Sequence, residues 1–298
     1  MKNILIIGCG LLGSSLLRSI KRKKIAKKIF IYEKSKKNIL KIKKLNLSGK
    51  IIKSLKEGVT NSDLIIFCTP MSEYKNIILK INKFVLPNCL ITDIGSSKIE
   101  SSKIIKKFLK KGIPWVPSHP IAGSEVSGPE NGKSNMFMNR WCILIKEKNT
   151  NIKHLNTLKK FWKKNGSKTV VMTPEKHDKI FSMTSHLPHL VAYNLVKSAQ
   201  EFEKKQNYEL IKYSAGGLRD FSRIAASNEI MWRDIFFNNK INITKAINLF
   251  IKNLTAFKKD INSKNNKSIL KKLIETKKVR SKIIKLKQDI DKPDFGRN

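Results

Sequence analysis

The chain has 298 residues, of which 40% are hydrophobic, and a formal net charge of +40 from 62 Lys and Arg against 22 Asp and Glu. This length allows one large domain or two ordinary ones, with enough apolar residues to fill a core. No apolar run reaches the about 18 residues of a membrane-spanning helix, and the apolar start runs into a glycine motif instead of a cleavage site. We therefore expect a cytoplasmic protein with no membrane partner.

The positive charge permits two interpretations. A concentrated basic patch would indicate a nucleic-acid-binding protein. Here the lysines are spread over the whole chain and alternate with isoleucine at helical spacing, as in KKNILKIKKL, and arginine is scarce. This pattern favours a solvated lysine surface, because arginine is the better reader of bases. We expect no specific nucleic-acid partner, and a basic nucleic-acid-binding protein stays as a low-ranked alternative.

The four cysteines lie in or beside apolar runs, and none forms a C-x-x-C pair. Small buried thiols in a reducing compartment are therefore expected, without a disulfide or a metal site.

Short apolar segments alternate with lysine-rich helical segments up to Thr173. This alternation is typical of a parallel sheet with helices on its faces. From Pro174 onward the pattern is helical, so we predict an α/β domain over residues 1–173 and an all-helical domain over 174–298, the last residues forming a tail. Apolar faces on such a helical domain favour a homodimer. The predicted strands are NILIIG, KIFIYE, LIIFCT, CLITDI, PWVPS, WCILIK and KTVVMT.

The first predicted strand leads into a G-x-G-x-x-G turn and a helix, in NILIIGCGLLGSSLLRSI. Gly8 permits the tight turn, Gly10 lets the backbone approach a pyrophosphate, and Gly13 allows close packing of helix and strand. Glu33 ends the next strand 20 residues after Gly13, where its carboxylate would accept the ribose hydroxyls of NAD and repel the 2′-phosphate of NADP. Three lysines at positions 34, 36 and 37 leave NADP open. The motif predicts a nucleotide-binding domain of the Rossmann type.

Two further loops follow predicted strands, CTPMSE and DIGSSK. Ligands of such folds lie at the carboxyl ends of the strands, so these loops should line the cofactor cleft. For Asp93 and Ser97 we favour local hydrogen bonds within the loop. The cofactor-binding candidates are Gly8, Gly10, Leu12, Gly13, Glu33, Thr69, Pro70 and Gly95.

His119 lies in SHPIAGSEVSG, a segment with neither helical nor strand pattern, and it follows the predicted strand PWVPS. A dehydrogenase that oxidises an alcohol needs a base beside the hydroxyl. The stiff, small-residue loop would let substrate and nicotinamide approach His119, and Ser96 could hydrogen-bond both the histidine and the hydroxyl. The alternative is a histidine that only caps its loop.

Four other histidines carry weaker signals. His186 and His189 are three residues apart and would share a helix face, but no third ligand stands nearby, so we expect no metal site. His154 and His177 lie among charged residues, which predicts surface positions.

The segment GGLRDFSRIAASNEIMWRDIF is rich in residues suited to a binding site. Arginine pairs with carboxylates in a bidentate way, and Arg219 and Arg223 lie four residues apart. Trp232 is equally compatible with helix packing, and Arg233 with Asp234 is predicted to form a structural ion pair.

Several long motifs lie along nearly the whole chain: GCGLLGSSL, TDIGSSK, SHPIAGSEVSGPENG, NRWCILI, SHLPHLVAYNLV, LRDFSRIAASNEIMWRDIFFNNK and PDFGR. Together they resemble the prephenate dehydrogenase family of tyrosine biosynthesis, within it the cyclohexadienyl type. The resemblance implies a Rossmann-type domain followed by a helical dimerisation domain, NAD as cofactor, and oxidative decarboxylation of prephenate to 4-hydroxyphenylpyruvate or of arogenate to tyrosine.

The resemblance also implies roles for single residues. His119 and Ser96 are the implied catalytic pair at the ring hydroxyl, and Arg223 is the implied carboxylate anchor. The other implied substrate contacts are Ser124, His189, Gly216 and Trp232.

The chemistry of the reaction agrees with these implied residues. Prephenate is a dianion, so a cationic pocket suits it, and loss of its ring carboxylate creates an aromatic ring, which drives the reaction. Positioning and charge complementarity then suffice, without a metal. The runner-up is another two-domain NAD(P) dehydrogenase, of the β-hydroxyacid or imine-reducing type, which would use a lysine in the reacting role.

Overall fold

The structure is a computed structural model that describes residues 1–288. The predicted tail, residues 291–298 with the PDFGR motif, lies outside the described residues. The chain divides into two compact units, Met1–Ile243 and a unit that begins at Thr244. The boundary between residues 173 and 174 stays a prediction.

The strands of the described part belong to two sheets. The first sheet has the order β3-β2-β1-β4-β5 and the second the order β6-β7-β8. The strands are β1 (Asn3–Ile7), β2 (Lys28–Tyr32), β3 (Lys50–Ile51), β4 (Leu64–Phe67), β5 (Leu90–Asp93), β6 (Ser118–Pro120), β7 (Trp141–Ile145) and β8 (Lys168–Met172).

Helices connect the strands and make up the described chain after β8. A π-helical turn, Ser182–His186, joins the seventh helix to the eighth. The helices are α1 (Leu11–Arg22), α2 (Lys36–Lys44), α3 (Leu55–Thr60), α4 (Tyr74–Ile81), α5 (Ile99–Phe108), α6 (Ile152–Lys164), α7 (Pro174–Phe181), α8 (Leu187–Gln206), α9 (Gly216–Ala225), α10 (Glu229–Asn238), α11 (Lys240–Asn262) and α12 (Asn266–Lys285).

The first sheet is entirely parallel, as its near-continuous apolar strands predict. All four residues of β4 and of β5 are buried, because helices cover both faces. The order places the carboxyl ends of β1, β2, β4 and β5 side by side at one edge. The predicted fold class, a Rossmann-type domain followed by helices, is confirmed.

The second sheet differs from the prediction of one parallel sheet. β6 pairs antiparallel with β7, and β7 pairs parallel with β8. In the segment PWVPS, Trp115 forms an isolated bridge to Ile91, and only the last residue, Ser118, belongs to strand β6. Prolines at both sides explain the shift, since proline donates no ladder hydrogen bond. The two-residue strand β3 had no signal in the sequence.

The glycine loop is built as the motif predicts. Gly8 has a φ of +90°, which favours glycine. A Cβ on Gly13 would lie 2.1 Å from the carbonyl oxygen of Gly8, so only glycine lets α1 start this close to β1.

A buried cation links the two sheets. Lys98 is fully buried, and its Nζ donates to Asp93 Oδ1 at 2.9 Å, Asp93 Oδ2 at 2.7 Å and the Ser118 carbonyl at 2.7 Å. Tyr74 donates its hydroxyl proton to the same carboxylate, and Asp178 accepts the backbone N–H of Lys98. Burial lowers the pKa of Lys98, and the Asp93 carboxylate opposes that shift. Besides its local bond to the Gly95 N–H, Asp93 therefore makes contacts well beyond its loop.

The second unit, within its described residues, contains the rest of α11 and the helix α12. Asp260 accepts hydrogen bonds from Ser268 and Lys272 at the turn between them. Large apolar side chains are exposed along both helices, which is typical of an association surface. They include Leu249, Ile251, Leu254, Ile261, Leu270, Leu273, Ile274 and Val279.

In the part of the chain that is described, no helix is both long enough and apolar enough to cross a membrane. The four cysteines are free thiols; Cys68 is half-buried and the other three are buried.

We predict opposite effects for two identical glycine substitutions. Gly13→Ala should lower the free energy of unfolding by about 1–3 kcal/mol, because the added methyl meets backbone. Gly217→Ala in α9 should leave it unchanged or raise it by up to about 1 kcal/mol, since the Cβ meets no atom within 4 Å and alanine favours helix. Urea unfolding followed by circular dichroism measures both, and equal stabilities would contradict the packing argument.

Candidate active site

Glu33 lies beside the glycine loop, where the sequence predicts it. Its Oε2 accepts the Cys9 N–H at 2.8 Å and its Oε1 accepts the Ser35 N–H at 2.9 Å. Each carboxylate oxygen keeps a second lone pair. The nearest lysine in sequence, Lys34, pairs with Glu73 at 3.1 Å.

The residues around this loop fit a dinucleotide. Gly10 precedes α1 without a side-chain cap, and a Cβ there would meet no protein atom within 4 Å. Uncapped N–H groups at a helix start suit a pyrophosphate. The Thr69 hydroxyl, after β4, is buried and has no hydrogen-bond partner among residues 1–288. A polar group of a ligand would satisfy it.

The remaining cofactor candidates lie at the same edge of the sheet. Leu12 is half-buried in the first turn of α1, and Pro70 is exposed after Thr69. Gly95 follows β5, and a Cβ there would come within 2.8 Å of Asp93 Oδ2 and of the Tyr74 hydroxyl. A larger residue at position 95 would therefore disturb the Asp93 cluster.

His119 lies within strand β6, which corrects the prediction of an irregular loop. It pairs with Ile143 of β7, and its side chain is largely buried. Its Nδ1 lies 2.8 Å from Nε2 of His177, and the Phe181 ring centroid lies 5.0 Å from its own. Burial holds the pKa of His119 well below its usual range, and His177 and Lys98 lower it further. Neutral His119 is thus a proton acceptor near neutral pH.

His177 corrects a second prediction, because it is fully buried and not on the surface. Its Nδ1 lies 2.7 Å from Asp178 Oδ1, and burial holds its pKa well below the usual range. The charged neighbours in PEKHD suggested exposure. The available signal was helical spacing, since Pro174, His177 and Phe181 fall on one face of α7. His154 is half-buried in α6.

Ser96 lies in the loop after β5 and is half-buried. Within residues 1–288 the structure records no hydrogen bond between its side chain and His119, so its proposed partnership stays a prediction. Ser97, which is buried, donates to the Met71 sulfur at 3.3 Å.

The next pair, His189 and Trp232, brings two helices together. The rings stack with centroids 3.8 Å apart and an interplanar angle of 22°. His189 Nδ1 lies 2.9 Å from the Ser185 carbonyl, which fixes its proton on Nδ1 and leaves Nε2 as an acceptor. Trp232 is buried, and its Nε1 has no partner among the described residues. The stacked rings therefore pack α8 against α10 and also leave two polar nitrogens, His189 Nε2 and Trp232 Nε1, without a recorded partner among the described residues.

His186 lies at the end of the π-helical turn before α8. It is buried, and its Nδ1 lies 3.1 Å from the Asn239 amide. Burial lowers the pKa of His186 to about 4. Over residues 1–288, no three His, Cys, Asp or Glu side chains are grouped to hold a metal ion.

Arg223 connects α9 to the segment that follows His119. Its Nη1 lies 3.6 Å from Oε2 of Glu125, the neighbour of Ser124. Arg223 is half exposed and Ser124 is exposed, so both are accessible to a ligand. Gly216 starts α9, and a Cβ there would meet nothing within 4 Å.

Asp234 confirms the predicted structural ion pair. Its Oδ1 accepts from Arg233 at 2.8 Å, and its Oδ2 accepts the Ser72 N–H at 2.8 Å. The second bond ties α10 to the loop after β4.

Two family models match this chain. Residues 16–171 match the nucleotide-binding domain of prephenate dehydrogenase, and residues 173–275 match its dimerization domain.

Similar proteins cover nearly the whole chain. The cyclohexadienyl dehydrogenase of Zymomonas mobilis is 31% identical over 97% of this chain and 98% of its own. The prephenate dehydrogenase of Bacillus subtilis is 32% identical over 84% of this chain and 68% of its own. The crystal structure of prephenate dehydrogenase from Aquifex aeolicus, in complex with hydroxyphenyl propionate and NAD+, is 34% identical, with a TM-score of 0.88 over 95% of this chain and 98% of that one. The chain therefore belongs to the prephenate dehydrogenase family.

Proposed function

We propose that this protein catalyses the NAD-dependent oxidative decarboxylation of prephenate to 4-hydroxyphenylpyruvate, with arogenate to tyrosine as the related reaction. The observation that carries the proposal is the buried His119, directly after Ser118, which hydrogen-bonds Asp93 at the end of β5, in a chain of this family. The similar Aquifex aeolicus enzyme is described with hydroxyphenyl propionate, which has the hydroxyphenyl ring and three-carbon acid chain of that product.

The cofactor is NAD. The glycine loop and the start of α1 would hold the pyrophosphate, Glu33 the ribose hydroxyls and Thr69 a further polar group. Bound NAD supplies the hydride acceptor for the reaction. Because Lys34 is engaged by Glu73, the carboxylate of Glu33 dominates its surroundings, and NADP would be disfavoured.

His119 takes the proton of the ring hydroxyl as the substrate is oxidised. Its depressed pKa keeps the acceptor nitrogen unprotonated near neutral pH. The ring carboxylate then leaves as carbon dioxide, and the aromatic ring that forms provides the driving force. The protein's contribution is positioning and a cationic environment for a dianion.

The substrate contacts are proposed from the family resemblance and from the local contacts of each residue. Arg223 is the anchor for a carboxylate, and a substrate carboxylate would compete with Glu125 for it. His189 offers an Nε2 acceptor, held in place by Trp232. Ser96, Ser124 and Gly216 complete the proposed set.

The same family membership supports a homodimer. Residues 173–275 match a dimerization domain, and α11 and α12 expose apolar side chains in the single chain.

We assign the NAD-binding part to residues 1–173 and the dimerising part to residues 174–298. We also propose a cytoplasmic location, in keeping with four free thiols.

The runner-up dehydrogenases would need a reacting lysine. The lysine that neighbours His119 is Lys98, which is fully buried and held by Asp93 and Ser118. It is not available to a substrate, which favours the histidine chemistry.

The first test is NADH formation by the purified protein, followed by near-ultraviolet absorbance with prephenate and arogenate supplied separately, each with NAD and NADP. We expect turnover with NAD, and the ratio of the two substrates identifies the preferred one. His119→Asn should lower kcat by about 10²–10⁴-fold while NAD binding, measured by calorimetry, is kept. If the protein is folded and binds NAD but forms no NADH with either substrate, the proposal is refuted.

Arg223→Ala should raise the KM for prephenate by about tenfold or more with a smaller effect on kcat, because it removes a ground-state charge contact. Arg219→Ala, four residues away on α9, is the matched control and should leave KM unchanged. Steady-state kinetics measure both, and a normal KM in Arg223→Ala would remove this residue from the anchor role.

Glu33→Ser should raise the KM for NAD and increase the ratio of NADP to NAD use by about tenfold or more, because the charge that repels a 2′-phosphate is gone. Glu73→Gln, which frees Lys34 but keeps Glu33, serves as the comparison. An unchanged cofactor ratio in Glu33→Ser would mean that Glu33 does not read the ribose.

A further inference from the structure

Two buried side chains, His177 and Asp178, continue in a line from the proposed base His119. His119 Nδ1 lies 2.8 Å from His177 Nε2, and His177 Nδ1 lies 2.7 Å from Asp178 Oδ1. His177 and Asp178 have no exposed surface, and His119 is 9% exposed. No local pattern connects these residues, since 58 positions separate His119 from His177.

The hydrogen bonds at Asp178 fix the direction of the whole line. Its Oδ1 also accepts the Lys98 N–H at 2.8 Å, and its Oδ2 accepts the Ile99 N–H at 2.9 Å. Both oxygens thus face backbone donors, so the group is an acceptor carboxylate. His177 must then donate from Nδ1, which leaves its Nε2 as an acceptor.

The consequence reaches His119. Because His177 Nε2 accepts, His119 must donate from Nδ1. The lone pair of neutral His119 is then on Nε2, away from His177. The neighbours therefore determine which nitrogen of His119 can receive a proton.

We propose that His177 and Asp178 are positioning residues of the active site, which hold His119 as its Nδ1–H tautomer and stabilise the cation that forms when Nε2 takes up the substrate proton. This inference deepens the proposed function and depends on His119 acting as the base. Neither residue touches the substrate; both act through His119.

The proton balance is simple. The hydroxyl proton of the substrate moves to His119 Nε2, and the Nδ1 proton stays on His119 throughout. The positive charge on the imidazolium is stabilised through the Nδ1–H bond to His177, which in turn donates to the Asp178 carboxylate. Burial raises the pKa of Asp178, whereas the N–H groups of Ile99 and Lys98 and the charge of Lys98 lower it. With these donors in place, Asp178 acts in the proposal as an ionised carboxylate, like that of a Ser-His-Asp triad.

The other titratable groups that lie around this line include Lys98, His186 and Cys142. Lys98, at the start of α5, and His186, in the turn before α8, both lower the pKa of His119 and of His177. Cys142 of β7 stays a neutral thiol, since burial raises its pKa well above the usual range. Asp178, at the end of the line, supplies the negative charge that faces His177.

His177 is the better residue to substitute, because Asp178 also holds the backbone at the start of α5. Glutamine can place its amide oxygen near the position of Nε2, so His177→Gln keeps an acceptor for His119 and loses the link to Asp178. His177→Leu removes both. His154→Gln makes the same chemical change in α6, outside the site, and is the matched control.

The tautomer is measured on the free wild-type protein by long-range proton–nitrogen NMR of its histidine rings. We expect His119, assigned by comparison with His119→Asn, to show a protonated Nδ1 and an unprotonated Nε2, with an Nδ1 proton protected from exchange. A protonated Nε2 on neutral His119 would overturn the inference. This readout needs no substrate, so it is independent of the proposed function.

Kinetics then test the effect on the base. Acceptance of a proton needs neutral His119, so kcat/KM has its plateau above the pKa of His119 and falls as pH drops through it. We expect His177→Gln to lower kcat about tenfold and to move this acidic limb down by about one pH unit, because the imidazolium loses its carboxylate. His177→Leu should lower kcat about 100-fold or more, with KM for prephenate changed less than about twofold.

The outcomes distinguish the positioning role of His177 from the proposed function of the protein. A folded His177→Gln protein with unchanged kcat and an unmoved acidic limb would overturn the positioning role. Loss of kcat together with a shifted limb, against an unaffected His154→Gln control, supports it. If the wild type turns over neither substrate, the proposed function fails while the NMR result still decides the tautomer.

Discussion

One buried ion pair holds the parts of this site in register. Lys98 contacts Asp93 at the end of β5 and the Ser118 carbonyl in β6, and its own N–H is bound by Asp178 of α7. Breaking a buried pair by removing one partner typically costs about 3–5 kcal/mol, because the other charge is left uncompensated. His119 follows Ser118 directly, so the same contacts that satisfy the cation fix the strand that carries the base.

The nucleotide-binding half could be predicted from the sequence because each of its features depends on residues close together in the chain. A tight turn, a close backbone approach and an acidic strand end each leave a residue type at a fixed spacing, as Gly8, Gly13 and Glu33 show. The second sheet was harder to predict, because β6 has only three residues, the last of them Pro120, and its position depends on pairing with β7. Its antiparallel direction is set by distant contacts that no local pattern records.

The site divides in the same way. The family motifs indicated His119, Arg223 and His189 as candidate site residues, whereas no pattern in the sequence assigned a role to His177 or Lys98. In a chain with so many lysines, nothing in composition distinguishes the one that is buried. Burial of a charged side chain depends on its partners, and these can lie far along the chain, as the Ser118 carbonyl that accepts from Lys98 Nζ lies 20 positions away. Motifs therefore indicate candidate reactive groups, whereas the buried residues that contact them are found only in the structure.

The position of α7 also bears on how such chains can be recombined. His119 falls within the segment that matches the nucleotide-binding model, whereas its partner His177 falls within the segment that matches the dimerization model. A chimera that joins halves from two relatives at the junction would inherit the base from one parent and its hydrogen-bond acceptor from the other. The two segments are thus not interchangeable modules: they must be inherited together, or the exchange point must be moved past α7 so that this helix stays with its own sheet.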